Sequence, residues 1–182
     1  RLVADLETPV SVYLKLAADA DGVTRPNSFL LESVQGGEAR GRYSIIGLKP
    51  DLIWRCDGDR AEINRGALHG DRFAPETAKP LESLRALLHA CRMALPPGIP
   101  PMAAGLFGYL GYDMARQVEH LPNPPPDSLG LPDASMLRPT IVAIFDTVKD
   151  EIIIATPVWP DAALDAKAAY ARAQERLNET VT

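Results

Sequence analysis

This sequence lacks the residue patterns of disulfide-rich, zinc-binding and membrane-spanning proteins. Its two cysteines, Cys56 and Cys91, do not form a CxxC pair, and such usage is typical of reduced thiols in the cytoplasm. The three histidines are scattered, so none lies at metal-ligand spacing from another histidine or a cysteine. No apolar run is long enough to span a bilayer, and no signal peptide is recognisable. We therefore expect a cytoplasmic protein that does not enter a membrane.

Clusters of basic residues are also missing. The chain has 19 lysines and arginines against 24 acidic residues, which gives a net charge of -5. A protein that binds nucleic acid or an anionic membrane surface normally carries a basic patch, so both partners are disfavoured. Hydrophobic residues make up 46% of the chain and charged residues 24%, which are ordinary values for a globular protein and argue against disorder.

Hydrophobic periodicity and turn residues predict an α+β fold. Thr8 followed by Pro9 is a helix-start signal. Helices are predicted at 10–17, from residue 80 to about 91, at 114–119, and from a cap at Asp161 to about residue 178. Strands are predicted at 28–34, 42–48, 51–56, 61–64, 103–110, 140–145 and 151–155. Because hairpins dominate over βαβ units in this order, we expect a mainly antiparallel sheet with packed helices.

No recognisable catalytic motif is present. Gly105, Gly108 and Gly111 form a GxxGxxG pattern, but its spacing fits neither the dinucleotide fingerprint nor the P-loop. Glycines in such a strand more often allow two backbones to approach closely. The acid pair Asp146 and Asp150 has no distinguishing context and is expected to be solvated or structural. From the residues alone, the sequence predicts an α+β domain without a catalytic centre.

Several segments, in order along nearly the whole chain, carry a family resemblance. They are TPVSVYLKL at 8–16, LLESVQGGE at 30–38, GRYSIIG at 41–47, GLFGYLGYD at 105–113, and LPD, RPT and FDTVKD between 131 and 150. Together they resemble the N-terminal part of anthranilate synthase component I, the large chorismate-using subunit in tryptophan biosynthesis. One departure is Ile45, where the family commonly has phenylalanine, and this change in apolar volume is expected to affect packing only.

The resemblance implies a fold and an activity. Residues 1–182 would be the N-terminal regulatory region, part of the sandwich fold of chorismate-utilising enzymes, and the C-terminal chorismate-binding catalytic region would be absent. The complete enzyme would be a lyase that converts chorismate to anthranilate and pyruvate and requires Mg²⁺. Its amino group would come from ammonia, or from glutamine through a separate glutamine amidotransferase subunit. Because the catalytic and Mg²⁺-binding residues of the family belong to the missing region, no catalytic residue and no metal ligand is assigned here.

The resemblance also implies an allosteric site for L-tryptophan, with Leu31, Glu32, Ser33 and Tyr43 as its residues. In a strand, Leu31 and Ser33 would share one face, so Leu31 can contact an indole while Ser33 offers a hydroxyl. Glu32 would point the other way and meet the ligand ammonium through its backbone carbonyl. Tyr43 would lie on the neighbouring strand. The alternative is that this segment is only a core strand in which Ser33 is bonded internally.

Two other functions remain open from the sequence. The first is the large subunit of aminodeoxychorismate synthase, a related enzyme of folate synthesis, although the RGRYS and LLESVQGGE segments favour the anthranilate enzyme. The second is a standalone amino-acid-binding module with no enzyme attached. A reading frame that continues past Thr182 into a chorismate-binding region would exclude this module, whereas a stop codon there would support it.

Overall fold

The computed structural model describes residues 1–18, 21–32, 41–123, 125–160 and 164–181. It confirms the predicted α+β class, because helices accompany a sheet whose registered strand pairs are antiparallel. Within the described residues, no helix combines the length and the apolar composition needed to cross a bilayer.

The described residues include three α-helices: α1 (Pro9–Ala17), α2 (Pro80–Ala90) and α3 (Ala166–Val181). The Thr8-Pro9 prediction is confirmed at α1, where the Thr8 hydroxyl accepts from the Ser11 amide at 3.0 Å and the Ser11 hydroxyl accepts from the Thr8 amide at 2.9 Å. Helix α3 begins later than predicted. Asp161 lies outside the described residues, and the carboxylate of Asp165 instead accepts from the Ala168 amide at 2.7 Å.

In the part of the chain that the structure describes, the strands are β1 (Leu2–Val3), β2 (Phe29–Leu31), β3 (Tyr43–Asp57), β4 (Arg60–Asn64), β5 (Ala74–Pro75), β6 (Phe107–Leu110), β7 (Ala134–Asp146) and β8 (Glu151–Ala155). The prediction of two strands at 42–48 and 51–56 was wrong, because β3 is continuous through Pro50. Lys49 takes a positive φ of 49° there, and its carbonyl accepts a hydrogen bond from the Thr140 hydroxyl at 2.7 Å. That side-chain bond compensates for the local distortion of the strand.

The segment at 103–110 differs from the predicted buried strand. A 3₁₀ helix occupies Pro101–Ala103, the strand begins only at Phe107, and Tyr109 and Leu110 are exposed. The packing role expected of the glycines holds for Gly108, where an added Cβ would lie 1.9 Å from the Ser135 carbonyl oxygen. The predicted helix at 114–119 is a 3₁₀ helix at Tyr112–Gln117.

The first of two compact units comprises residues 1–50, 93–104 and 139–182. Its strands follow the order β1-β8-β7-β3, and β2 pairs with β3. Helix α1 covers one face of these strands. The buried core on that face consists of Val12, Ala17, Ile46, Leu48, Ile141, Ala143, Phe145 and Ile152.

The second compact unit comprises residues 51–92 and 105–138. Its strands follow the order β7-β3-β4-β5, and β6 pairs with β7. Trp54 is fully buried, and its indole nitrogen donates to the Ser83 hydroxyl on α2 at 3.0 Å. Ser83 in turn donates to the Glu76 carboxylate at 2.9 Å, so the polar atoms in this part of the core are satisfied.

Candidate functional site

The register of β2 against β3 determines which side chains can meet a ligand. Phe29 pairs with Gly47, Leu30 with Ile46, and Leu31 with Ile45. Leu30 packs against the core around Ile46, so the alternation of side chains along a strand turns Leu31 to the opposite face. The predicted separation of Leu31 from Leu30 is therefore confirmed.

Tyr43 shares the face of Leu31. It lies two residues before Ile45 in β3, and Ile45 is the partner of Leu31. Leu31 is 52% exposed and Tyr43 is half-buried, so this face presents an apolar and an aromatic side chain away from the core under α1. Glu32 directly follows β2 and is exposed. Ser33 lies outside the described residues, so its role stays a prediction.

An ion pair fixes the chain next to Tyr43. The guanidinium of Arg42 donates to both carboxylate oxygens of Asp146, at 2.8 and 2.7 Å. The side chain of Asp146 is only 3% exposed, and its hydrogen bonds from Arg42 hold the pKa of this carboxyl below its ordinary value. The same guanidinium lies 4.9 Å from the centre of the Tyr43 ring, which is within cation–π distance.

A cavity of about 230 Å³ adjoins these three residues in the first unit. Its lining also includes Pro100, and Lys149 adds a positive charge. Among the described residues, the Lys149 ammonium has no hydrogen bond or ion pair. A cavity that combines an ammonium with an aromatic ring can accept a ligand that is both anionic and apolar. Leu31 and Glu32 do not line this cavity.

Sequence reasoning missed Arg42 and Lys149 as site residues. Asp146 is predicted to be solvated or structural, and its burial in an ion pair excludes the solvated alternative. Arg42 and Asp146 are 104 residues apart, and only the packing of the folded chain brings them together. Both Asp146 and Lys149 belong to the FDTVKD segment, one of the segments that carry the family resemblance.

Described residues of the second unit line grooves elsewhere, and two of these have a volume of about 630 Å³ each. One lies along the β3–β4 hairpin and is lined by Arg55, Glu62 and Lys79; the other is lined by Asn64 and Phe73. Neither contains a residue of the predicted site. Within the described ranges, no group of three or more histidine, cysteine, aspartate or glutamate side chains could hold a metal ion.

Comparison with known proteins finds relatives that match along the whole chain. The chain is 54% identical over 182 residues to anthranilate synthase component 1 of Cereibacter sphaeroides, covering all of this chain and 35% of that protein. It is 38% identical over 185 residues to the protein of that name from Pseudomonas aeruginosa, covering 99% of this chain and 36% of the relative. The chain thus spans about a third of the length of these curated relatives. No protein-family model matches the sequence.

A solved structure supports the same fold. The crystal structure of anthranilate synthase component I from Streptococcus pneumoniae matches with a TM-score of 0.60 at 19% sequence identity. The match covers 100% of this chain and 37% of the solved chain. At this low identity the likeness to the solved structure shows the fold alone.

Proposed function

Because this chain belongs to the anthranilate synthase component I family, we propose that the protein takes part in converting chorismate to anthranilate and pyruvate. The observation that carries this proposal is the 54% identity to a component 1 protein over the entire chain. The relatives above are named for the anthranilate reaction, which favours it over the aminodeoxychorismate alternative.

Within that reaction, this chain has the role of the N-terminal regulatory region. The chain spans 35% of its relative, and we assign the chorismate-binding residues, the general acid and base and the Mg²⁺ ligands to the remaining length. The described residues offer no cluster suited to the metal. The amino group would come from free ammonia or from glutamine through a glutamine amidotransferase subunit. The name component 1 of the relatives implies such a second subunit.

The regulatory ligand we propose is L-tryptophan, bound beside β2 and β3. Leu31 and Tyr43 lie on the face turned away from the α1 core, where they can contact an indole. Lys149 gives the cavity beside Tyr43 a positive charge that favours a carboxylate, whereas the charge of Arg42 is balanced by Asp146. Ser33 would supply a hydroxyl, and the backbone carbonyl of Glu32 would accept from the ligand ammonium.

The experiment uses the complete component I subunit that contains this sequence, with chorismate, ammonia and Mg²⁺. Anthranilate formation is followed by its fluorescence, first without and then with L-tryptophan. We expect turnover that stops on chelation of the metal and is inhibited by L-tryptophan but not by L-phenylalanine. The 182-residue chain alone should give no turnover above the blank. Formation of aminodeoxychorismate in place of anthranilate would contradict the proposed reaction.

A further inference from the structure

Arg42 is held by the end of β7 at both its backbone and its side chain. Its carbonyl accepts from the Thr147 amide at 3.0 Å and from the Thr147 hydroxyl at 3.0 Å. Its guanidinium forms the two-pronged pair with Asp146. Two adjacent residues of β7 and its turn therefore determine where this side chain lies.

This anchoring explains how Arg42 reaches the ring of its own neighbour. Adjacent residues in a regular strand point to opposite faces, but Arg42 precedes the first residue of β3 and follows Gly41, whose φ is +83°. The carboxylate of Asp146 draws the guanidinium to the same side as Tyr43, with 4.9 Å between the guanidinium carbon and the ring centre. A flat cation over one face of the ring limits the orientations of the tyrosine.

We propose that Asp146 is a positioning residue of the tryptophan site, which sets the affinity for the inhibitor by holding Arg42 against the ring of Tyr43. The inference rests on the proposed function, because it concerns the regulation of the same site. It goes beyond that function by making tryptophan inhibition depend on the buried carboxylate of Asp146, which is 104 residues away in sequence from Arg42.

The molecule contains a matched control for the loss of such an ion pair. Arg138 of β7 donates to both carboxylate oxygens of Asp51 of β3, at 2.7 and 3.0 Å. The side chain of Asp51 is 24% exposed. Its partner Arg138 also donates to the Cys91 sulfur at 3.7 Å. Strands β3 and β7 thus carry a second aspartate–arginine pair, which has no Tyr43 beside it.

The test compares the complete subunit with its Asp146→Asn, Arg42→Lys and Asp51→Asn variants. For each protein, the inhibition constant for L-tryptophan, the KM for chorismate, kcat and the thermal midpoint are measured. Asp146→Asn should raise the inhibition constant about fivefold or more, the range of an ordinary coupling between sites, with kcat and KM unchanged. Arg42→Lys should do the same, because an ammonium lacks the planar fork that binds both carboxylate oxygens and so cannot be held in the same place beside the ring.

Asp51→Asn should lower the thermal midpoint and leave the inhibition constant unchanged. The inference would be overturned if the inhibition constant of Asp146→Asn were unchanged, or if that of Asp51→Asn rose equally. In either case, inhibition of the wild type by tryptophan would still support the proposed function. If Asp146→Asn does not fold, the Arg42→Lys variant decides by the same criterion. A wild-type enzyme that tryptophan does not inhibit would overturn the regulatory proposal and the inference with it.

Discussion

The aromatic ring of Phe29 in β2 lies over the backbone of Gly47 in β3. The two residues are cross-strand partners, and a Cβ added to Gly47 would lie 2.2 Å from the Cε1 and Cζ atoms of the ring. The final glycine of the GRYSIIG segment therefore makes room for an aromatic side chain on the face that also carries Leu31 and Tyr43. This contact fixes β2 against β3, and so it positions the candidate site.

Replacing Gly47 with alanine should push the Phe29 ring out of its place. We expect the free energy of unfolding to fall by about 1–3 kcal/mol, the usual cost of overpacking. Urea unfolding of the wild type and of Gly47→Ala measures the change. In a Phe29→Ala background the same substitution should cost much less, because the colliding ring is gone. An equal cost in both backgrounds would show that the ring is not the cause.

Gly108 should tolerate a side chain even less than Gly47. Its added Cβ would meet the carbonyl oxygen of Ser135 at 1.9 Å, and a backbone atom in a paired strand cannot rotate aside. Gly108→Ala should therefore destabilise the protein by about 3 kcal/mol or more, the upper end for overpacking. The matched control is Gly70→Ala, because an added Cβ there meets nothing within 4 Å. Equal unfolding midpoints for the two variants would contradict this explanation.

Stability should depend on pH through Asp146. Its hydrogen bonds from Arg42 lower its pKa in the folded state, whereas in the unfolded chain this carboxyl has its ordinary pKa of about 4. The stabilisation is therefore complete above that ordinary pKa and is lost as the pH falls through the lowered folded pKa. The charges around this carboxylate are those of Arg42 and, in the same cavity, Arg1 and Lys149.

Asp146→Asn should remove this part of the acid dependence. Urea midpoints for wild type and variant, measured between about pH 3 and pH 7, should differ most at neutral pH and converge toward the acid end. At neutral pH the loss should be about 1.5–3 kcal/mol, as for hydrogen bonds to a charged group. A difference that stays constant across this range would mean that the ionised carboxylate contributes nothing specific.

Cys56 should react slowly with thiol reagents. Burial raises its pKa to about 11, the negative charge of Asp133 acts in the same direction, and the side chain is 1% exposed. At about pH 8 only about one thousandth of the thiol is ionised, and the thiolate is the reactive species. In a Cys91→Ser variant, labelling should proceed only at the rate of unfolding, and denaturant should make it fast. Rapid labelling of the native variant would contradict the described burial.

Local signals in the sequence predicted several elements correctly. The Thr8-Pro9 pair predicted the start of α1, and the apolar runs before and after residues 147–150 predicted the β7–β8 hairpin. Alternation predicted that Leu31 and Leu30 face opposite sides. These predictions succeeded because each depends on a few neighbouring residues and on the period of one element.

Long-range pairing could not be predicted in the same way. Pro50 indicated a break between two strands, but the Thr140 hydroxyl supports the carbonyl of Lys49 and β3 continues. The pairing of Arg42 with Asp146 likewise depends on the arrangement of β3 and β7, which no local pattern specifies. The proposed tryptophan site is based on a family resemblance. The cavity beside Tyr43 could be identified only in the folded chain.

The most direct test of the account is tryptophan inhibition of the complete subunit carrying Ser33→Phe. In our proposal the Ser33 hydroxyl gives the ligand one hydrogen bond, worth about 0.5–1.5 kcal/mol, and a phenyl ring there adds an overpacking cost of roughly 1–3 kcal/mol. The inhibition constant should rise by about tenfold to a thousandfold, with uninhibited turnover unchanged. Ser128→Phe, in an exposed loop, is the control, and tryptophan should inhibit this variant as strongly as the wild type. Equal inhibition constants for wild type and Ser33→Phe would place the tryptophan site elsewhere and contradict the account.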